Sequence, residues 1–276
     1  MERMMLPKHV TDVLTTTQAA VMKRVLEEEE ALREHVVVYL SGAHAYGFPS
    51  PDSDLDLKAI HVANTTDLLG FEPPAPTIDR AEIIDGVEVD YTSNELAHAL
   101  AGILGGNGNF IERVLGRMTP YASKLVGELR PIVQRALSRR VYRHYNGFAR
   151  NQLRFLEKEP TAKKLLYVLR TTLTGIHLLE TGEVEPNLAA IMSDYDVPDA
   201  ADLIERKRAG ERVPLDPKQL EAWRPRIDAL FDRLDAARET SLLPEDPPNE
   251  NELRDWLLTV RRSRLRDSPS HEVGRA

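Results

Sequence analysis

The sequence predicts an α+β fold, a first part of strands and helices followed by a helical part. Three observations predict it. Short apolar, β-branched runs bounded by turn residues all lie before Pro120. From Pro120 onward the apolar residues recur at helical spacing and strand signals disappear. At 276 residues the chain is long enough for two units. The expected division is 1–119, a helical unit over 120–245, and a linker, short helix and flexible tail over 246–276.

The elements follow in order. Thr11 to His35 reads as one helix, with Val13, Ala20, Val21, Val25 and Leu32 near helical spacing and the acidic run Glu27 to Glu30 facing water. Val36 to Leu40 reads as a buried strand. "SGAHAYGFPSPDS" is turn chemistry throughout, and "DLDLKAIHV" alternates like a second strand. "AEII" and "VEVDY" flank Asp85 and Gly86, a pair suited to a type I′ hairpin turn. Thr92 and Glu95 offer a capping box that opens a helix through Leu96, Leu100, Ile103 and Leu104. Helical runs follow near 123 to 140, 135 to 158 and 162 to 181, with further pieces toward 240. "LLPEDPPNENE" is a proline-rich acidic linker, Leu253 to Val260 a short amphipathic helix, and the tail ending "SHEVGRA" reads as frayed.

The composition excludes several classes. With no cysteine there is no disulfide, thiolate metal site or cysteine nucleophile. A net charge of −8 argues against non-specific polyanion binding by the whole surface, leaving room for a local basic groove. No run has signal-peptide or membrane-span length, so no membrane partner and a cytoplasmic location are expected.

Asp54 and Asp56 carry the chemistry. Leu55 separates them and Leu57 follows, so an extended segment sends both carboxylates to one side and the leucines to the other. Two like charges that close are costly unless a bound cation, a strong donor or open water offsets their repulsion. Magnesium, a hard ion held by one or two carboxylates plus substrate phosphates, fits. Such a constellation serves phosphoryl or nucleotidyl transfer, with one ion on the triphosphate and a second lowering the pKa of an attacking hydroxyl. Asp90 is the expected third carboxylate, since it alternates with Val89 and Tyr91 and follows a hairpin; Glu88, on the same face, is the reserve. Gly42 allows a phosphate close to the backbone. Lys58 is a phosphate-contact candidate, whereas His44 and Tyr46 are expected to pack the loop.

These residues resemble the nucleotidyltransferase superfamily named after DNA polymerase beta, whose pattern is a hydrophobic strand, Gly-Ser, a short turn or helix, Asp-x-Asp and a later Asp. "SGAHAYG" and "SDLDL" are similar to segments of its bacterial predicted nucleotidyltransferases, as are "GNGNFIERVL" and "YRHYNGFARNQL". The resemblance spans roughly residues 36 to 190 and implies a polymerase-beta-like domain with a mixed sheet, then a helical domain. It also implies a nucleoside triphosphate (NTP) donor and two magnesium ions, with manganese an accepted substitute. Gly42 and Ala43 stand where the family has Gly-Ser, so the triphosphate would meet the Ala43 amide without a hydroxyl. Ser41 or Ser53 is the substitute.

Two stripes mark the helical part. On a helix over 135 to 158, Arg139, Arg143, Arg150 and Arg154 fall within an arc of roughly 60°, opposite Leu137, Val141, Tyr145, Phe148 and Phe155. They are candidate nucleic-acid contacts. On the next helix Lys163, Tyr167, Arg170, Thr174 and His177 share an arc of roughly 80°. Lys163, Tyr167 and Arg170 are candidate nucleotide contacts, with an ion pair from Arg170 to Glu112 or Glu180 as the equal alternative, while His177 is expected to pack. The expected activity is transfer of a nucleoside monophosphate from an NTP to a hydroxyl, preferably an RNA or tRNA 3′ end. Small-molecule or protein nucleotidylation, or a catalytically silent nucleotide-binding module, are the alternatives.

Overall fold

A computed structural model of the chain describes residues 5–208 and 213–265. Two helices open it, α1 (Lys8–Thr11) and α2 (Thr16–Glu30), where the sequence suggested one. The break has a local cause. The Thr15 hydroxyl accepts the Gln18 amide at 3.2 Å and the Gln18 side chain accepts the Thr15 amide at 2.9 Å, a capping box that starts α2 afresh. Strand β1 (Glu34–Leu40) leads into a five-residue helix, α3 (Gly42–Tyr46), within the stretch expected to be turn throughout.

Strand β2 (Leu55–Val62), helix α4 (Thr65–Leu68) and the hairpin β3 (Thr77–Ile84) and β4 (Val87–Glu95) follow. Asp85 and Gly86 both adopt positive φ, 49° and 80°, as a type I′ turn requires. Strand β4 runs through Thr92, which therefore caps nothing. Helix α5 (Leu96–Leu104) is capped instead by the Glu95 carboxylate, which accepts the Ala97 amide at 2.7 Å.

Beyond α6 (Gly108–Leu115) the chain forms a two-residue strand, β5 (Tyr121–Ala122), in the part where strands were expected to cease. It is too short to leave a periodic signal, and pairing with β1 creates it. Then come α7 (Lys124–Arg135), α8 (Val141–Lys158), α9 (Ala162–Thr181), α10 (Leu188–Ile191), α11 (Ala200–Arg208), α12 (Pro217–Thr240) and α13 (Glu250–Arg262). The overlapping runs expected over 123 to 158 are two helices separated by 136–140. The expected tail "SHEVGRA" lies outside the described residues.

The sheet order is β3-β4-β2-β1-β5, with β2 and β4 parallel and the other pairs antiparallel, so the sheet is mixed. Its two faces divide the core by strand alternation. Val38, Leu40, Leu55, Leu57, Val89 and Tyr91 pack against Val21, Met22, Val25 and Leu26 of α2. Val37, Tyr39, Ile60 and Val62 join α5, α6, α7 and the later helices in the larger core. Helix α13 returns to the sheet unit, where Arg261 pairs with Glu95 and Arg264 with Glu34. Among the described residues no helix is long and apolar enough to cross a membrane.

Three histidines are held neutral by this packing. Burial, then the Arg33 charge, pushes His35 down to about 4. Burial and Lys207 push His44 down to about 4, and burial and Arg170 do the same to His144. Each binds a proton near pH 6.5 once unfolded, so acid favours the unfolded chain as pH falls from about 6.5 to about 4. Asp56, raised to about 6 chiefly by burial, acts in the opposite sense and offsets one histidine. Urea midpoints should therefore fall clearly between pH 7.5 and pH 5, and His35→Gln should shallow the slope. A midpoint independent of pH would contradict neutral burial.

Candidate active site

Parallel pairing of β2 with β4 places Asp56 directly beside Asp90 in register, and alternation sends both carboxylates to the face of the larger core. Glu88 precedes Val89, the partner of Leu55, so it lies one step off the paired ladder and is exposed. Lys58, two residues along β2 on the same face, places Nζ 2.8 Å from Asp90 Oδ2 and 4.0 Å from Asp56 Oδ1. Asp54 lies just before β2. The carboxyl of half-buried Asp56 is raised to about 6 by burial foremost, then by the Asp90 and Asp54 charges, with Lys58 and Lys163 pulling the other way. A cation near Asp56 would reverse that shift.

Gly42 is fixed by this carboxylate. Its φ is +63°, and a Cβ there would stand 1.9 Å from Asp56 Oδ2. Only glycine admits that approach. A cavity of about 200 Å³ opens beside the pair, walled by Ser41, Gly42, Asp56 and Lys58 from the sheet side, and by Asn109, Glu112 and Arg113 of α6 and Tyr167 of α9. A larger surface hollow of about 580 Å³ between α11 and α12 also carries acids and arginines, among them Asp199, Glu205, Arg206 and Arg226, but no paired acidic strands and no glycine opening stand beside it.

The structure thus brings Asp56, Lys58, Gly42 and Tyr167 around one cavity and sets Asp90 against Lys58. Lys163, one turn before Tyr167, is close enough for its charge to act on Asp56. Ser41 lines the cavity, and its hydroxyl lies 3.2 Å from Tyr46 Oη. Ser53 does not line it: its hydroxyl is buried and accepts Lys207 Nζ at 2.8 Å. Ala43 is buried in the core.

Arg170 lies behind the cavity wall. It pairs with Glu112, stacks 3.6 Å from the Tyr46 ring centroid, and is 2% exposed. Glu180, the other suggested partner, pairs with Arg233. The four arginines do not form one stripe, because Arg139 precedes α8 and donates to the Leu243 carbonyl at 3.0 Å and to Ser241 O at 2.6 Å. Arg150 donates to Asn146 and lies 4.7 Å from the Phe231 ring centroid. Arg143 and Arg154 are exposed, and none of the four lines the cavity. His177 packs edge-on against Tyr195, with Nδ1 3.0 Å from its hydroxyl.

The residues sequence reasoning left out of the site are Asn109, Glu112 and Arg113. Their signal was available: on α6 they follow i, i+3, i+4 spacing while Phe110, Ile111 and Val114 are buried. A short helix with charged residues at that spacing and apolar neighbours on both sides buries some of its charge.

A mixed sheet with adjacent acidic strands, a glycine opened onto an aspartate, and helices closing over the face define a nucleotidyltransferase of the polymerase beta type. The chain belongs to the RNA repair pathway DNA polymerase beta family, whose model matches residues 17–259. It is 30% identical over 222 residues to an uncharacterized protein of Methanocaldococcus jannaschii, covering 78% of this chain and 86% of that one. It is 26% identical over 244 residues to the Bacillus subtilis protein YcgL, covering 83% and 92%. A nucleotidyltransferase-like protein from Exiguobacterium sibiricum aligns at a TM-score of 0.31 and 14% identity over 91% of this chain and 82% of that one.

Gly42→Ala should leave a folded protein, destabilised by about 1–2 kcal/mol from the positive φ, yet push the Asp56 carboxylate aside and remove activity; a fully active variant would mean that the close approach is dispensable. Glu112→Gln should cost about 3–5 kcal/mol in chemical denaturation, because it strands the Arg170 charge in the core. E112L/R170M should cost less than the single change.

Proposed function

We propose that the protein transfers a nucleoside monophosphate from an NTP to a hydroxyl at an RNA or tRNA 3′ end. The observation that carries this reading is the Asp56–Asp90 register pair beside a cavity walled by Gly42, with Lys58 between the carboxylates. The RNA acceptor is supported by the family's description as an RNA repair pathway group. In this reading residues 1–119 form the transferase unit, 120–245 the helical unit and 246–276 the linker, helix and tail, and the protein works in the cytoplasm.

Magnesium fits the donor set in part. Asp56 and Asp90 supply hard carboxylate oxygens, but among the described residues no three histidine or acidic side chains converge to hold one ion. That matches an ion held by one or two carboxylates and completed by nucleotide phosphates and water. Asp54, Asp56 and Asp90 are the proposed ligands of two such ions, with manganese as a substitute. When bound, they supply charge neutralisation at the phosphates and acidify the acceptor hydroxyl.

The chain's own residues do the rest. Asp56 and Asp90 orient the acceptor hydroxyl and the α-phosphate, and Lys58 leaves the carboxylates to meet a phosphate oxygen. Gly42, the Ala43 amide and Ser41, which lines the cavity as Ser53 does not, receive the triphosphate at the turn into α3; Lys163 and Tyr167 approach it from α9, and Arg170 acts on it through Glu112. The hydroxyl oxygen attacks the α-phosphorus, the bond to the bridging oxygen of the β-phosphate breaks, pyrophosphate leaves, and the hydroxyl proton passes to Asp90. Of the four arginines, Arg143 and Arg154, exposed on α8, serve as contacts to the RNA backbone, whereas Arg139 is taken by the Ser241 and Leu243 carbonyls and Arg150 by Asn146.

The test is incubation with each labelled NTP, magnesium, and RNAs with a 3′-hydroxyl or a blocked 3′ end. Wild-type protein should extend only the open end, and Asp56→Asn and Asp90→Asn should each lose at least a thousandfold in rate while remaining folded. Labelling of protein or of a small hydroxyl compound in place of RNA would replace the acceptor. No label transfer to any hydroxyl, or full activity in the Asp56 variant, would sink the reading.

A further inference from the structure

Arg113 presents an unusual combination of burial and charge. It is 7% exposed, yet it lines the cavity beside Asp56. Its Nη1 donates to the Ala59 carbonyl at 3.1 Å and to the Asn94 side-chain oxygen, both neutral acceptors, and its guanidinium lies 4.8 Å from the Phe110 ring centroid. Its Nε is buried and meets no acceptor among the described residues. Nor does Arg113 make an ion pair with any described carboxylate. The adjacent acid, Glu112, is taken by Arg170 and by the Tyr145 hydroxyl at 3.1 Å.

A buried guanidinium normally carries a carboxylate partner, as Arg170 does, because desolvating an uncompensated charge is costly. Burial pushes the Arg113 pKa down to about 10, and the Asp79 and Glu112 charges, neither paired with it, offset this only in part, so the side chain is still charged at neutral pH. Its missing partner is an anion with several acceptor oxygens, small enough for a cavity of about 200 Å³. Carboxylates of this chain already stand on the opposite wall at Asp56. A tetrahedral phosphate meets the requirement, with Lys58 as a second cation on the same cavity.

We propose that Arg113, from α6, is the side chain that holds a phosphate group of the substrate in the cavity between β2 and α6. The proposal rests on the nucleotidyl-transfer reading for the identity of that substrate. The phosphate comes either from the polyphosphate of the donor nucleotide or from a terminal phosphate of the acceptor strand. The site's chemistry is the same for both.

The experiment measures binding of sodium tripolyphosphate to the full chain by thermal shift and calorimetry, without magnesium, for wild type, Arg113→Met and Arg113→Lys. Wild type should bind and gain thermal stability. Arg113→Met should lose at least tenfold in affinity while its unliganded midpoint stays equal or rises, since an uncompensated buried charge is removed. Arg113→Lys should fall between them, and it decides the matter if the methionine variant fails to fold. Displacement by ATP but not by adenosine assigns the subsite to the donor; displacement by a 5′-phosphorylated oligoribonucleotide but not by its dephosphorylated form assigns it to the acceptor. Absence of wild-type binding, or equal affinity in wild type and both variants, overturns the subsite. Tripolyphosphate binding that depends on Arg113 in a protein without transferase activity would leave the subsite standing and remove the function proposed above, whereas full activity and unchanged nucleotide affinity in Arg113→Met would do the reverse.

Discussion

The Glu112–Arg170 ion pair is the constraint around which the site is built. Both side chains are almost fully buried, Glu112 also accepts the Tyr145 hydroxyl, and the Arg170 guanidinium lies on the Tyr46 ring. Four elements therefore meet at one pair: α6, α8, α9 and α3. Two desolvated charges tolerate little displacement, because any separation leaves each without its counter-ion in a low-dielectric interior. Tyr145 supplies a further hydrogen bond to Glu112 and Tyr46 a polarisable ring to Arg170, whose Nε alone meets no acceptor among the described residues.

Its neighbours inherit that fixed geometry. Tyr167 lies one turn before Arg170 and packs edge-on against Tyr46 and Phe48, which puts it on the cavity wall. Arg113 follows Glu112 directly, and Asn109 lies one turn before, so anchoring the acid places both over β2. The helices that follow the sheet thus contribute to the site through an ion pair whose acid, Glu112, itself walls the cavity while Arg170 lies behind it. Such an arrangement gives a rigid wall opposite the carboxylates, the support that positioned catalysis requires.

On the sheet side the deciding feature is parallel pairing. An antiparallel partner for β2 would also place side chains in register, but here the hairpin of β3 and β4 returns the chain so that Asp90 comes level with Asp56. Lys58 lies between the two carboxylates and limits their repulsion. The result is an alternation of charge, with acid from β2 and β4, base from Lys58 and Arg113, and a glycine opening at position 42. Polyphosphate chemistry needs both signs of charge within one small volume.

The sequence by itself determined the elements whose signals are local. The β-branched run before Leu40, the alternation through Asp54 and Asp56, the Asp85-Gly86 turn and the long amphipathic helices α8 and α9 are each legible within a dozen residues, since strand and helix periods act at that range. The aspartates and Gly42 were legible as a set because their chemistry is unusual enough to stand out. Only the tertiary structure decided where the helix breaks and caps fall, that Tyr121 and Ala122 form a strand, and that Glu95 rather than Thr92 caps α5. It likewise decided that Arg170 turns inward to Glu112, that Arg139 binds the carbonyls after α12, and that Asn109 and Arg113 reach the cavity. A charged side chain on a helix has the same local signal whether it meets water, a phosphate or a buried acid. Which it meets depends on a partner many residues away, and only folding brings the two together.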